Sequence, residues 1–372
     1  MQKATVFNPN NTGYLTKIYP LFLGERPGLY DSINVIYQEI LDMYYLQRSL
    51  RWTEDEVNLE QSRMDMLPAK AGGKSTAGEI DLMIRTLAYL WELDSVASRA
   101  VFPLFAPFIT NSELSAMMTE WTAMEQIHAL TYSEIIRQCV SDPKIAVEAV
   151  VKNDAVLGRA ERVIKSVDEL AYYGGLLNTG QIDRNDPKLK DVIITGIVSL
   201  YLLERVQFMS SFAVIFGLAE TNKIIGIAKL VQLICRDELL HARMSSTIIK
   251  VLKQDKEWQE SFDRVTPDLL DIVDEIVMNE LKWNGELFKE GRTMVGLNEQ
   301  LLNEWVLFCT QDLMRDLELP YRYKRIDKLP ITWVMNWIDF DKTQNANQEA
   351  DNTSYRMNSV KDDLDDDEVF DI

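Results

Sequence analysis

Leu114, Met118, Trp121, Glu125, His128, Tyr132, Ile135 and Cys139 recur at alternating steps of four and three residues. That spacing sets all of them on one face of a single helix. A carboxylate, an imidazole and a phenol therefore interrupt an otherwise apolar stripe that must face a core. A second stripe, Ile227, Val231, Ile234, Glu238 and His241, repeats the pattern, again with the acid three residues before the histidine. The two Glu-x-x-His pairs contain both histidines of the chain. One histidine on such a face is ordinary core packing, because neutral imidazole buries with a single hydrogen bond. An unpaired buried carboxylate is different, costing on the order of several kcal/mol. Two of them, each a helical turn from an imidazole, require a counter-charge.

Residues i and i+3 of a helix converge on one point. Two Glu-x-x-His helices joined by one acid from each of two others form the ligand set of a carboxylate-bridged metal pair. Both further acids are present. The stripe Ile80, Ile84, Leu87, Trp91, Asp94, Ser98 puts Asp94 at a core position, and Ile193, Ile197, Leu200, Glu204 does the same for Glu204 in a nearly all-apolar helix. Asp94, Glu125, His128, Glu204, Glu238 and His241 thus supply carboxylates and imidazoles from four helices. Four carboxylate charges offset two divalent cations, and the mixed N/O donors suit iron, with manganese accepted by the same set.

Several helices longer than twenty residues and no convincing strand alternation make the class all-α, built around a bundle. The 372 residues, 47% of them hydrophobic, are ample for a large core. Three regions are expected: an irregular arm over 1–30 with Asn, Gly and Pro punctuation, a helical body over 31–342, and a flexible acidic tail over 343–372. Within the body, a helix is expected from about Asp31 to Leu46, with Thr53 able to cap the next one. A loop is expected from Gly174 to Pro187. Ala71-Gly-Gly-Lys-Ser-Thr76 is not a phosphate loop, since Pro68 stands where that motif needs glycine. A net charge of −19 argues against nucleic acid or an anionic membrane as partner. No run approaches the eighteen or more apolar residues of a membrane helix and no signal-peptide core opens the chain, so a soluble, cytoplasmic protein is expected. Cys139, Cys235 and Cys309 lie in apolar helical runs without metal spacing and read as core thiols.

Tyr132 lies one turn beyond His128 on the same face. Beside a metal pair able to reduce O2, its phenol becomes a candidate for oxidation to a radical, with Phe208, Phe212 and Ile234 positioned to wall it off. At this point the chain resembles the small, radical-bearing subunit of class I ribonucleotide reductase. The resemblance runs from about Arg51 to Leu317 through the Asp94-Ser95 region, Glu125-Gln-Ile-His128 followed by Tyr132, Glu204, and Arg236-Asp-Glu-Leu-Leu-His241. Ala129, where the family motif often has serine, and the 174–187 loop are departures.

The resemblance implies a ferritin-like helical bundle with an oxo/carboxylate-bridged pair of iron ions, or manganese, that activates O2. It implies storage of a tyrosyl radical at Tyr132 and a path through Trp52, Asp237 and His128, continued by Tyr355 in the tail. It also implies a homodimer, an external electron donor, and a large catalytic subunit that binds the tail and reduces ribonucleoside diphosphates. Val369, Phe370 and Ile372 give the acidic terminus apolar anchors for such docking. The same ligands could serve a di-iron oxygenase of the ferritin-like superfamily or a metal-storage bundle. Neither gives Tyr132, Trp52 and Tyr355 a shared purpose.

Overall fold

The computed structural model describes residues 5–13, 18–30, 33–151 and 154–338, without the side chains of 149–156. The tail, including Tyr355, lies outside the described residues. In chain order the helices are α1 (Gln38–Ser49), α2 (Glu60–Asp65), α3 (Ala77–Ala100), α4 (Phe102–Phe105), α5 (Ser112–Cys139), α6 (Pro143–Val151), α7 (Asp154–Thr179), α8 (Pro187–Leu202), α9 (Phe208–Ala219), α10 (Ile225–Gln254), α11 (Lys256–Leu287), α12 (Glu299–Asp316) and α13 (Met335–Ile338). Among the described residues there are no strands, only the isolated bridges Phe22–Ile109 and Met294–Leu297.

The central bundle consists of α3, α5, α8 with its continuation α9, and α10. Helix α3 packs on α5 and α9, and α10 packs on α5, α8 and α9. Helices α7, α11 and α12 cover the α8–α9 side, while α1 lies against α5 and α10. The helices that carry the candidate ligands start at defined points. Thr76 and Glu79 form a reciprocal capping box on α3, and Asn111 Oδ1 accepts the Leu114 N–H at the start of α5. Between α8 and α9 one wider turn, Leu203–Gln207, is π-helical, and it carries Glu204. Such turns re-aim side chains within an otherwise continuous helix.

Four local expectations change. Helix α1 begins at Gln38, because the Ile36 N–H is held by Glu113 Oε1 at 2.7 Å, and runs to Ser49. Thr53 caps nothing; its hydroxyl donates to Asp55, and Asn58 holds the Glu60 N–H at the start of α2. Helix α7 continues through Gly174 and Gly175 to Thr179 and stops at Gly180, whose φ of +72° is left-handed. Gly174 fits inside that helix because a Cβ there would crowd Pro107 at 3.1 Å. Finally, the run Pro187–Ala219 is, at 33 residues, long and apolar enough to cross a membrane, yet 89% of its most apolar window is buried within the protein. It is apolar all round because helices cover every side of it.

Candidate metal centre

All six predicted ligands are fully buried. Their donor atoms form two overlapping groups, Asp94, Glu125, His128 and Glu238, and Glu125, Glu204, Glu238 and His241, each within a 4.8 Å span. Glu125 and Glu238 belong to both groups, so each could serve two ions at once. His128 Nδ1 lies 2.9 Å from Glu238 Oε1, 3.6 Å from Glu125 Oε2 and 3.8 Å from Asp94 Oδ1. His241 Nδ1 lies 2.7 Å from Glu238 Oε2 and 2.9 Å from Glu125 Oε1.

Whether these residues fit a metal pair can be tested by asking which buried polar atoms lack a partner. Both oxygens of Asp94 and of Glu204, Glu125 Oε2, Glu238 Oε1 and His128 Nδ1 have no aligned hydrogen bond. Unpaired buried polar groups cost about 1–3 kcal/mol each, and more when charged. Inward-facing lone pairs concentrated at one point are what divalent cations satisfy, so the donor set fits.

Electrostatics agree. Burial, followed by the charges of Glu238 and Glu125, pushes Asp94 well above the usual carboxylate range, and the same causes act on Glu204. Burial alone would lower both histidines, but the facing carboxylates outweigh it: His128 is raised well above its ordinary value and His241 to about 9. Glu125 moves the other way, since the two imidazoliums overcome its burial. These shifts favour the protonated forms of Asp94, Glu204 and both histidines. Between pH 6.5 and about 9 the folded metal-free chain carries more protons than the unfolded one, so its stability falls as pH rises. Metal must displace those protons, so affinity changes in the opposite direction. Manganese titration at several pH values is expected to show affinity rising about tenfold per pH unit for each proton released, and uptake without proton release would rule out these six as ligands.

Tyr132 is fully buried, and its hydroxyl has no hydrogen-bond partner. Burial and then the Asp94 charge push its phenol well above its ordinary value. It shares one buried cluster with Phe208, Phe212 and Ile234, the two phenylalanine rings stacking at 5.7 Å.

Trp52 lies far from Asp237 in sequence, yet its Nε1–H donates to Asp237 Oδ2 at 2.7 Å. His128 Nε2 meets the same oxygen at 3.2 Å, and the Trp52 ring stacks on His128 at 5.9 Å. Arg236 donates from Nε and Nη2 to Asp237 Oδ1 at 3.2 Å. Burial would raise Asp237; the His128 bond and the charges of His128 and Arg236 overcome it and hold the carboxyl below its usual range. Tyr355 lies outside the described residues.

Trp121 was legible as a stripe residue but not as part of the site. Its Nε1–H donates to Glu125 Oε1 at 2.7 Å, and its ring stacks on His241 at 4.9 Å. The signal was its place four residues before Glu125. The three cysteines are free and buried; burial pushes the thiols up, Cys139 to about 12 and Cys309 to about 11.

A family model described as ribonucleotide reductase, small chain, matches residues 31–330. The chain belongs to that family. Among its relatives is the beta subunit of ribonucleoside-diphosphate reductase 1 from Salmonella typhimurium, 29% identical over 370 residues and 94% of each chain. Another is the ribonucleoside-diphosphate reductase beta subunit of enterobacteria phage T4, 27% identical over 98% of this chain and 97% of the relative. The fold is shared with the ribonucleotide reductase R2 subunit from Clostridium botulinum, at a TM-score of 0.74 and 21% identity, covering 91% of this chain and 98% of that one. Streptococcus sanguinis dimanganese(II)-NrdF matches at a TM-score of 0.66 and 18% identity, over 83% of this chain and 100% of that one. Within this family the bundle is ferritin-like, and the buried cluster is a candidate dinuclear metal site.

Proposed function

We propose that the chain is the radical-generating small subunit of a ribonucleoside-diphosphate reductase, working with a separate large subunit that holds the substrate. The observation that carries this reading is the Tyr132 hydroxyl, sealed from water and unpartnered beside a buried cluster able to hold two ions. Asp94, Glu125, His128, Glu204, Glu238 and His241 hold those ions, which we take to be iron, with manganese fitting the same donors. Bound there, they supply the redox chemistry that activates O2.

The chain's own residues do the rest. Tyr132 remains a neutral phenol at physiological pH because burial disfavours its anion. Losing an electron, it must also lose its proton, because burial disfavours net charge at that position, and Asp94 comes first among the charged groups that act on its phenol. Phe208, Phe212 and Ile234 exclude water and reductants from the resulting phenoxyl. Asp237 holds Trp52 and His128 in one hydrogen-bonded line, giving an external electron a way in and the stored oxidising equivalent a way out. Tyr355 and the acidic tail continue that line to the large subunit, and the working form is a homodimer in the cytoplasm.

Paramagnetic resonance tests this reading directly. Metal-free protein given ferrous iron and then O2 is expected to develop a tyrosyl signal, and Tyr132→Phe to lose it entirely while binding the same amount of iron. A tyrosyl signal surviving in Tyr132→Phe would move the radical elsewhere; its absence from the wild type with either metal would favour an oxygenase or storage role.

A further inference from the structure

A second buried charged cluster lies outside the metal ligands, on helices that contribute none of them. Arg159 of α7 and Glu280 of α11 are both buried. They form a two-pronged ion pair, Arg159 Nε donating to Glu280 Oε1 at 2.8 Å and Nη2 to Oε2. The guanidinium is clamped between aromatic rings, 3.2 Å from the Tyr89 centroid and 4.7 Å from that of Trp283. Tyr89, on the helix that carries Asp94, donates its hydroxyl to Glu280 Oε1 at 3.3 Å.

What connects the cluster to the metal centre is Gln207. It belongs to the same π turn as Glu204, and its amide donates to the Arg159 carbonyl at 2.9 Å and to the Tyr89 hydroxyl at 3.4 Å. Ser210, the third residue of α9, donates to Glu280 Oε2 at 3.5 Å. Neither oxygen of Glu204 has an aligned hydrogen bond, and the one polar side chain that acts on it at close range is Glu238, itself part of the cluster, so its aim depends on the backbone that carries it. A π turn is the least regular stretch of that backbone. Replacing a buried ion pair with apolar side chains is often neutral for stability; what apolar side chains cannot reproduce is the direction of these bonds.

We infer that the Arg159–Glu280 pair, acting through Gln207, is a positioning device that fixes the π turn and so aims Glu204 at the metal it would bind. The inference rests on the metal-centre reading above and adds α7 and α11 to the frame of the site.

The test uses full-length metal-free protein and Mn2+ alone as probe, counting free ion by paramagnetic resonance. Gln207→Leu is expected to keep one ion at wild-type affinity and to weaken the other, on the Glu204 side, by about tenfold or more. Arg159→Met/Glu280→Leu, which removes both charges of the pair together, is expected to do the same. Val265→Ala on α11, buried but outside the cluster, serves as the control: it is expected to lower the melting temperature and leave both ions bound as in the wild type. The inference is overturned if Gln207→Leu and the double variant fold and bind both ions with wild-type affinity, losing thermal stability alone as the control does. A wild-type chain taking up no manganese would overturn the metal-centre reading and this inference with it, whereas a wild type that binds a pair and variants that match it overturn this inference only.

Discussion

Asp237→Asn is expected to lower turnover with the large subunit by about 10- to 100-fold while leaving metal uptake intact. The physical reason is a mismatch of donors. Asp237 Oδ2 faces two N–H groups, those of Trp52 and His128, and Oδ1 faces two more from Arg236. A carboxylate accepts all four, but an asparagine amide has one oxygen and one NH2. Whichever way it turns, its NH2 is set against donors, so either the Trp52–His128 line or the Arg236 contact is broken. The unsatisfied groups cost about 1–3 kcal/mol, and His128 loses the negative partner that orients its ring. Asp237 meets His128 at Nε2, not at the Nδ1 that faces the cluster, so manganese counted per chain at saturating ion should match the wild type. Trp52→Phe, which keeps a ring but removes the N–H, is expected to produce the same loss of turnover. Wild-type turnover in both variants would place the electron path elsewhere; loss of metal in Asp237→Asn would make Asp237 a structural support of His128 and nothing more.

The buried cluster was legible because buried charge is costly and therefore conspicuous. Asp94, Glu125, Glu204 and Glu238 each stand where a helical stripe demands an apolar residue, and that violation can be read from spacing alone. The Trp52–Asp237–His128 line could not be read that way. Trp52 sits outside any regular helix, and its meeting with Asp237 is a contact across the fold that periodicity does not encode; only family resemblance suggested it. The π turn was equally silent, since Leu203-Glu-Arg-Val-Gln207 contains no glycine or proline to mark a break, and one extra residue per turn leaves no compositional mark.

Glu280 is the instructive omission. Val273, Val277, Glu280, Asn284 and Leu287 step by four and three along α11, the same signature that revealed Glu125 and Glu238. It passed unremarked because no histidine accompanies it and because its partner, Arg159, comes from another helix. A buried acid three residues from a histidine points to metal; a buried acid without one points to an arginine on a neighbouring helix, and here the structure supplies it. The start of α1 has a similar origin, for it is decided by one long-range contact, that of the Ile36 N–H with Glu113.

Removing residues 346–372 is expected to abolish turnover with the large subunit while leaving metal binding and the Tyr132 signal unchanged. The argument is one of composition and area. The segment ending Asp-Asp-Leu-Asp-Asp-Asp-Glu-Val-Phe-Asp-Ile372 is too acidic to bury itself in a core of its own, yet it ends on Val369, Phe370 and Ile372. Fully buried in a partner's groove, such side chains contribute about 1.5–3 kcal/mol each. Half of the lower figure from all three still exceeds 2 kcal/mol, roughly a fortyfold change in affinity, before any charge complementarity with a basic rim is counted. Titrating the large subunit against full-length and truncated chains would measure that loss as a shift in half-saturation, and a synthetic peptide spanning 361–372 should compete with the full-length chain but not rescue the truncated one. Equal half-saturation for the two chains would mean that the folded body, not the tail, makes the contact, and the exit of the oxidising equivalent would then have to be sought on the surface nearest Trp52.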